Sequence, residues 1–186
     1  MPIVLAGASS GQTTIQATDA TTQTITLPAN SGTVLTTASS GVVTQAMLST
    51  NVAGNGPAFS YYTSGAGQSV SAATYSKITL STSSFDTTSG MFASSRFTPT
   101  VAGYYQLSWA VGGNVNTETI SCLYKNGGLW HYGSDAPNSY ISTGSALVYA
   151  NGSTDYFELY IYTVLANTVY QTINRTYFTG YLARSA

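Results

Sequence analysis

Arg96-Phe97-Thr98-Pro99-Thr100-Val101-Ala102-Gly103-Tyr104-Tyr105-Gln106-Leu107-Ser108-Trp109 carries the pattern of a corner followed by a half-buried strand. An aromatic residue leads into a corner marked by Pro99, Gly103 turns the chain, and a strand follows. Side chains along a strand alternate between its two faces, so Tyr105, Leu107, Trp109 and Val111 share one face.

The same texture continues on both sides. Residues 57–186 read as short strands separated by turn residues, with candidates at 58–63, 68–80, 97–112, 118–125, 128–132, 140–150, 154–164 and 170–183. Asn126-Gly127-Gly128 and Asn151-Gly152 are hairpin signals, because Asn and Gly tolerate the positive φ of such turns. Strands at this spacing without helical stretches predict an all-β sandwich, of which a jelly roll is the natural form. In one strand Phe157, Leu159 and Ile161 alternate with Tyr156, Glu158, Tyr160 and Tyr162. The first set should face the sandwich interior. The second is flat and tyrosine-rich, which suits either a partner subunit or an ordinary half-exposed sheet.

Composition narrows the partners. Only 6% of the 186 residues are charged, against roughly a quarter in an ordinary globular chain. Thr, Ser, Asn and Gly take their place, which gives a polar but neutral surface with little repulsion between copies. The five bases, Lys77, Arg96, Lys125, Arg175 and Arg184, are scattered and form no stripe for nucleic-acid phosphates. No apolar run approaches the ~20 residues needed to insert across a bilayer. The start, Met1-Pro2-Ile3-Val4-Leu5, lacks the basic residues and length of a secretory signal, so assembly in a cytoplasm is expected. The lone Cys122 sits in a strand-like setting and reads as a buried small hydrophobe.

The N-terminal region is thinner. Thr13–Ala17 and Thr22–Leu27 alternate with period two, and Pro28 and Ser31-Gly32 turn the chain into Thr33–Thr36. Such strands bury too little apolar area to fold alone, so they are expected to pair with another copy or another protein. Val43, Met47 and Leu48 would share one face of a short helix, and Asn55-Gly56-Pro57 marks a boundary. The expected organisation is a β-rich arm at 1–40, a helical neck at 41–56 and a head at 57–186.

Several of these residues carry a resemblance. Phe97, Gly103, Tyr105, Leu107 and Trp109 resemble the signature of the complement component 1q globular head and of tumour-necrosis-factor-like (TNF-like) jelly rolls. Leu123-Tyr124-Lys125-Asn126-Gly127 is similar to that family's central strand and turn. Phe178-Thr179-Gly180-Tyr181-Leu182 is similar to its terminal strand, with Gly180 placed near the trimer axis. The resemblance covers about 57–186; Phe85-Asp86-Thr87-Thr88 departs from the animal pattern and looks like a virus-associated variant. Met1–Gly7, Thr24–Pro28 and Gly32–Leu35 are similar to the β-rich start of tailed-bacteriophage fibre proteins. Together these resemblances imply a homotrimeric virion protein. Its arm (Ile15, Ile25, Leu27, Val34, Leu35) would dock on another virion protein, and its head would face outward toward a host glycan or receptor. The alternative they leave open is a capsid decoration or cement protein.

For recognition, Trp130, His131, Tyr132 and Tyr140 are the candidate patch, since Trp and Tyr suit binding hot spots and stack on sugars. The alternative is that Trp130 and Tyr132 alternate into the core. Tyr156, Tyr160, Tyr162, Tyr61 and Tyr62 are the candidate trimer contacts. His131, Ser134 and Asp135 sit too close in sequence to suit a hydrolytic triad, so no enzyme is expected. No metal-ligand spacing and no phosphate-cradling glycine loop occurs, and no cofactor is expected. A calcium ion held by backbone carbonyls at a trimer apex stays open.

Overall fold

The computed structural model describes residues 3–6, 12–15, 55–88 and 90–186. The chain divides into two compact units, Met1–Val42 and Val43–Ala186. In the first, strand β1 (Ile3–Ala6) pairs antiparallel with β2 (Gln12–Ile15), Ile3 opposite Ile15 and Ala6 opposite Gln12. This pairing lies within one chain, and it brings in Ile3-Val4-Leu5, which the period-two reading passed over. The expected strands at 22–36 and the helical turn at 43–48 lie outside the described residues, as do Ile25, Leu27, Val34 and Leu35.

The described residues of the second unit form eleven strands: β3 (Ala58–Tyr62), β4 (Gln68–Val70), β5 (Ser76–Lys77), β6 (Thr82–Asp86), β7 (Phe92–Ala93), β8 (Arg96–Phe97), β9 (Gly103–Lys125), β10 (Gly128–Ala150), β11 (Phe157–Thr163), β12 (Asn167–Val169) and β13 (Tyr177–Ser185). Among the described residues there is no helix. The architecture is an all-β sandwich.

Two 23-residue strands, β9 and β10, organise it. They form one hairpin closed by Asn126 and Gly127, whose φ values of 54° and 80° are those the expected turn needs. The first half of β9 pairs with β13 on one side and with Ile141–Ala150 of β10 on the other. Its second half pairs with β11 and with the start of β10. The ribbon thus passes from one layer into the other, bending near Gly112 and Gly113. β3 and β6 extend the first layer beyond β13. β5 and β8 extend the second beyond β11.

Tyr105, Leu107, Trp109 and Val111 are fully buried, as their alternation predicted. Across the gap they meet Leu123, Phe157, Leu159 and Ile161, which are equally buried. Phe97 of the second layer lies 4.4 Å from Phe59 and 5.3 Å from Tyr105 of the first. At the bend, Trp109 donates its Nε1–H to Ser121 Oγ (2.9 Å), and Ser121 shares a hydrogen bond with Ser142 (2.8 Å). The indole fits because Gly144 opposite offers no Cβ. Burying an indole N–H without a partner would be costly, so this serine chain lets a tryptophan fill the corner.

Four expectations need correction. The expected strand 68–80 is interrupted between β4 and β5. The expected strands 97–112 and 118–125 are continuous across the bend from Gly103 onward, and 128–132 and 140–150 likewise join. Register shifts between Leu129 and Ile141 let β10 follow the bend without ending,. Asn151-Gly152 does not close a hairpin. Asn151 Oδ1 accepts the amides of Ser153, Thr154 and Asp155, forming a wider turn, and β11 then pairs with β9 instead of β10. At Gly180 a Cβ would lie 2.5 Å from Leu107 and 2.9 Å from Phe59, so this position faces the interior of the sandwich.

Candidate functional site

Directly opposed residues in a sheet share a face, so the registers above lay out each outer surface as a grid. On the first layer one row reads Leu147, Gln106, Tyr181, and the next Tyr149, Tyr104, Arg184. A third row holds Ser145, Ser108 and Thr179. Leu147 is 59% exposed, and Tyr104, Tyr149 and Tyr181 are exposed as well. Tyr104 and Tyr149 lean on each other at 5.5 Å. In these three rows only Arg184, at the margin, is charged.

The outer face of the second layer differs. Its rows read Leu129, Tyr124, Glu158, Arg96; then Tyr132, Cys122, Tyr160, Lys77; then Asp135, Ile120, Tyr162. Tyr124 stacks on Tyr160 at 3.9 Å, and Tyr75, from the loop before β5, leans on Tyr162 at 5.1 Å and Tyr124 at 6.2 Å. The Tyr75 and Tyr132 hydroxyls are 3.2 Å apart. Cys122 is fully buried within this tyrosine group, and burial pushes its thiol up to about 12. The hydrogen bond to Tyr132, then burial, raises the Tyr75 hydroxyl above its ordinary value. Tyr75, Ile120, Tyr132 and Asp135 line a recess of about 290 Å³.

One edge of this face is locked by charge. The Glu158 side chain is 4% exposed, and its Oε1 accepts from Lys77 Nζ at 2.7 Å and from Arg96 Nε at 2.8 Å. Burial alone would raise its carboxyl, but the hydrogen bonds from Lys77 and Arg96 outweigh burial and hold it below the usual glutamate range. The Arg96 guanidinium also lies 4.0 Å over the Tyr156 ring. At the hairpin end, Lys125 pairs with Asp155 at 3.0 Å. Three of the five bases are thereby paired with carboxylates of their own chain.

The expected recognition residues are not gathered into one patch. Trp130 and Tyr132 are 53% and 56% exposed, so neither alternates into the core; the register shift between Leu129 and His131 breaks the alternation. Trp130 meets the Lys125 ammonium at 5.3 Å and the His131 ring edge-on at 5.9 Å. Tyr132 joins Tyr75 instead, and Tyr140 lies eight residues farther along β10, opposite the bend. Ser134 Oγ accepts the amide of Thr143 at 3.0 Å, while Asp135 borders the recess.

The expected trimer contacts also divide. Tyr61 points toward the interior, stacked on Phe92 at 3.8 Å and donating to Asp86 Oδ2 at 2.6 Å. Burial, then that hydrogen bond, pushes its hydroxyl up to about 12. Tyr62 lies on the first layer's outer face; Tyr156, Tyr160 and Tyr162 lie half-buried on the second's. Sequence reading missed Tyr104, Leu147, Tyr149 and Tyr181. The signal was present in Ser145-Ala146-Leu147-Val148-Tyr149-Ala150, whose small and buried residues alternate with Leu147 and Tyr149. It also missed Tyr75 and Ile120, which only the folded chain brings beside Tyr132, and did not group Asp135 with them.

No known family profile and no curated protein sequence matches the chain. Solved structures do. Murine APRIL at pH 8.0 aligns with a TM-score of 0.55 and 10% identity over 68% of this chain and 98% of its own. An Eiger TNF from S. frugiperda aligns at 0.48 and 13% identity, over 69% and 93%. At such identities the likeness concerns the fold alone.

Proposed function

We propose that this chain is a bacteriophage virion protein, a homotrimeric appendage whose N-terminal arm docks on the particle and whose head faces a host surface. The observation that carries the reading is the pair of unlike outer faces on the head. Leu147, Tyr149, Tyr104 and Tyr181 form an exposed face with a single charge at its margin, which suits association between copies. Tyr156 and Tyr160 are already engaged within their own chain by Arg96 and Tyr124. The seam is therefore assigned to the first layer and not to the second. The second face, with its tyrosines and recess, is then left to meet a partner.

The trimeric number and the virion setting come from the resemblances of the head to TNF-like jelly rolls and of the arm to phage fibres. The paired cations support a partner other than nucleic acid. Deleting the gene from the phage tests the role. Virions without the protein are expected to lose adsorption to host cells. Virions that adsorb normally but burst under heat or osmotic shock would instead establish a cement function.

A further inference from the structure

The recess on the second layer's outer face has a chemistry of its own. Two tyrosines and an isoleucine give it aromatic and apolar walls, and Asp135 puts a carboxylate at its border. Among the described residues the other carboxylates of the head, Glu118 apart, are hydrogen-bonded: Asp86 to Tyr61 and Thr88, Asp155 to Lys125, Glu158 to Lys77 and Arg96. Asp135 forms no ion pair with any described residue. Glu118, two residues from Ile120 and so on the same face, forms none either. Asp135 is exposed, and its charge at the recess is not compensated by a cation as those of the buried Asp155 and Glu158 are.

We propose that this recess binds a quaternary ammonium group. Such a cation needs no hydrogen-bond donor or acceptor. It needs aromatic and apolar walls that replace its weak hydration shell and a nearby negative charge, and both are present. A sugar fits less well, because it calls for several converging donors and acceptors. Here the Tyr75 and Tyr132 hydroxyls are turned toward each other at 3.2 Å. The size agrees: about 290 Å³ accommodates a trimethylammonium head with a two-carbon tail, and lies at the small end of the roughly 300–1,000 Å³ typical of ligand pockets. The proposal names a ligand chemistry for the face that the proposed function turns outward. It rests on that reading for this face being open in the assembled protein.

The test uses the full-length protein with choline and its neutral isostere, 3,3-dimethylbutan-1-ol, titrated by ligand-observed saturation-transfer NMR. Choline should bind saturably and at least tenfold more tightly than the isostere. Asp135→Asn should weaken choline about tenfold and leave the isostere unchanged. Tyr132→Leu, at an exposed position, should weaken choline as well. Equal binding of choline and isostere would show apolar filling only and overturn the proposal. So would unsaturable choline, choline binding indifferent to Asp135→Asn, or glucose saturating the site in its place. Adsorption of the same protein to host cells separates the two readings. Adsorption without choline binding sinks this inference and leaves the proposed function standing. Choline binding without adsorption does the reverse.

Discussion

Replacing Glu158 by Gln probes the charge lock that ties β5 and β8 to β11. In the native chain one buried oxygen serves both Lys77 and Arg96, at 2.7 and 2.8 Å. Removing one member of a buried ion pair costs roughly 3–5 kcal/mol. Two facts reduce that figure. Gln keeps the volume and one acceptor, and the cations are 33% and 43% exposed, so they regain water and shift the loss toward the roughly 0–1 kcal/mol of surface pairs. The expected loss at pH 7 is therefore about 2 kcal/mol, between these limits. Its pH dependence has a definite sign. The Glu158 carboxyl is held below its ordinary range by Lys77 and Arg96 against the effect of burial. A depressed folded-state pKa contributes stability that is whole above the unfolded pKa, about 4.3, and vanishes as pH falls through the folded one. The gap between native protein and variant should thus hold from pH 7 to about 5 and close in stronger acid. Urea denaturation at fixed protomer concentration, followed by circular dichroism across that range, measures it. A gap under about 0.5 kcal/mol at pH 7, or one unchanged down to pH 2, would refute the reasoning.

Two further outcomes follow from packing. Gly180→Val should lower stability by about 1–3 kcal/mol, because its Cβ would meet Leu107 at 2.5 Å; a thermal midpoint equal to that of the native protein would remove Gly180 from the interior. Cys122, buried and pushed up to about 12, should ignore a thiol reagent at pH 8 and react fully in denaturant. Rapid labelling of the native protein would show that the tyrosines around it do not exclude solvent.

The sandwich was legible where one residue in two is large and apolar. Tyr105 to Val111 and Phe157 to Ile161 announced their buried faces, and Asn126-Gly127 announced the hairpin. The continuity of β9 and β10 was not legible, because Gly112-Gly113 reads as a break. In the fold those glycines let the ribbon bend from one layer to the other. Tyr132 was legible as a candidate, but Tyr75 and Ile120, which line the recess with it, come from separate segments that only the fold unites. Trp130 was grouped with Tyr132 on sequence proximity, and a single bulge parts their surroundings. The tyrosines expected at a seam were legible only as a group. Counting tyrosines does not reveal which are occupied within the chain, as Tyr160 is by Tyr124 and Tyr61 by Phe92.

The mass of the full chain in solution, alone and with Leu147→Asp, decides whether the first layer's outer face is a trimer seam. Leu147 is exposed, so an aspartate there should cost the isolated fold under about 0.5 kcal/mol, yet place a charge in the middle of the assigned seam. Light scattering should give about 58 kDa for the native protein, three copies of the 19.4 kDa chain, and a folded monomer for the variant. A native protein that runs as a monomer would contradict the trimer. A Leu147→Asp protein that stays trimeric would contradict its seam.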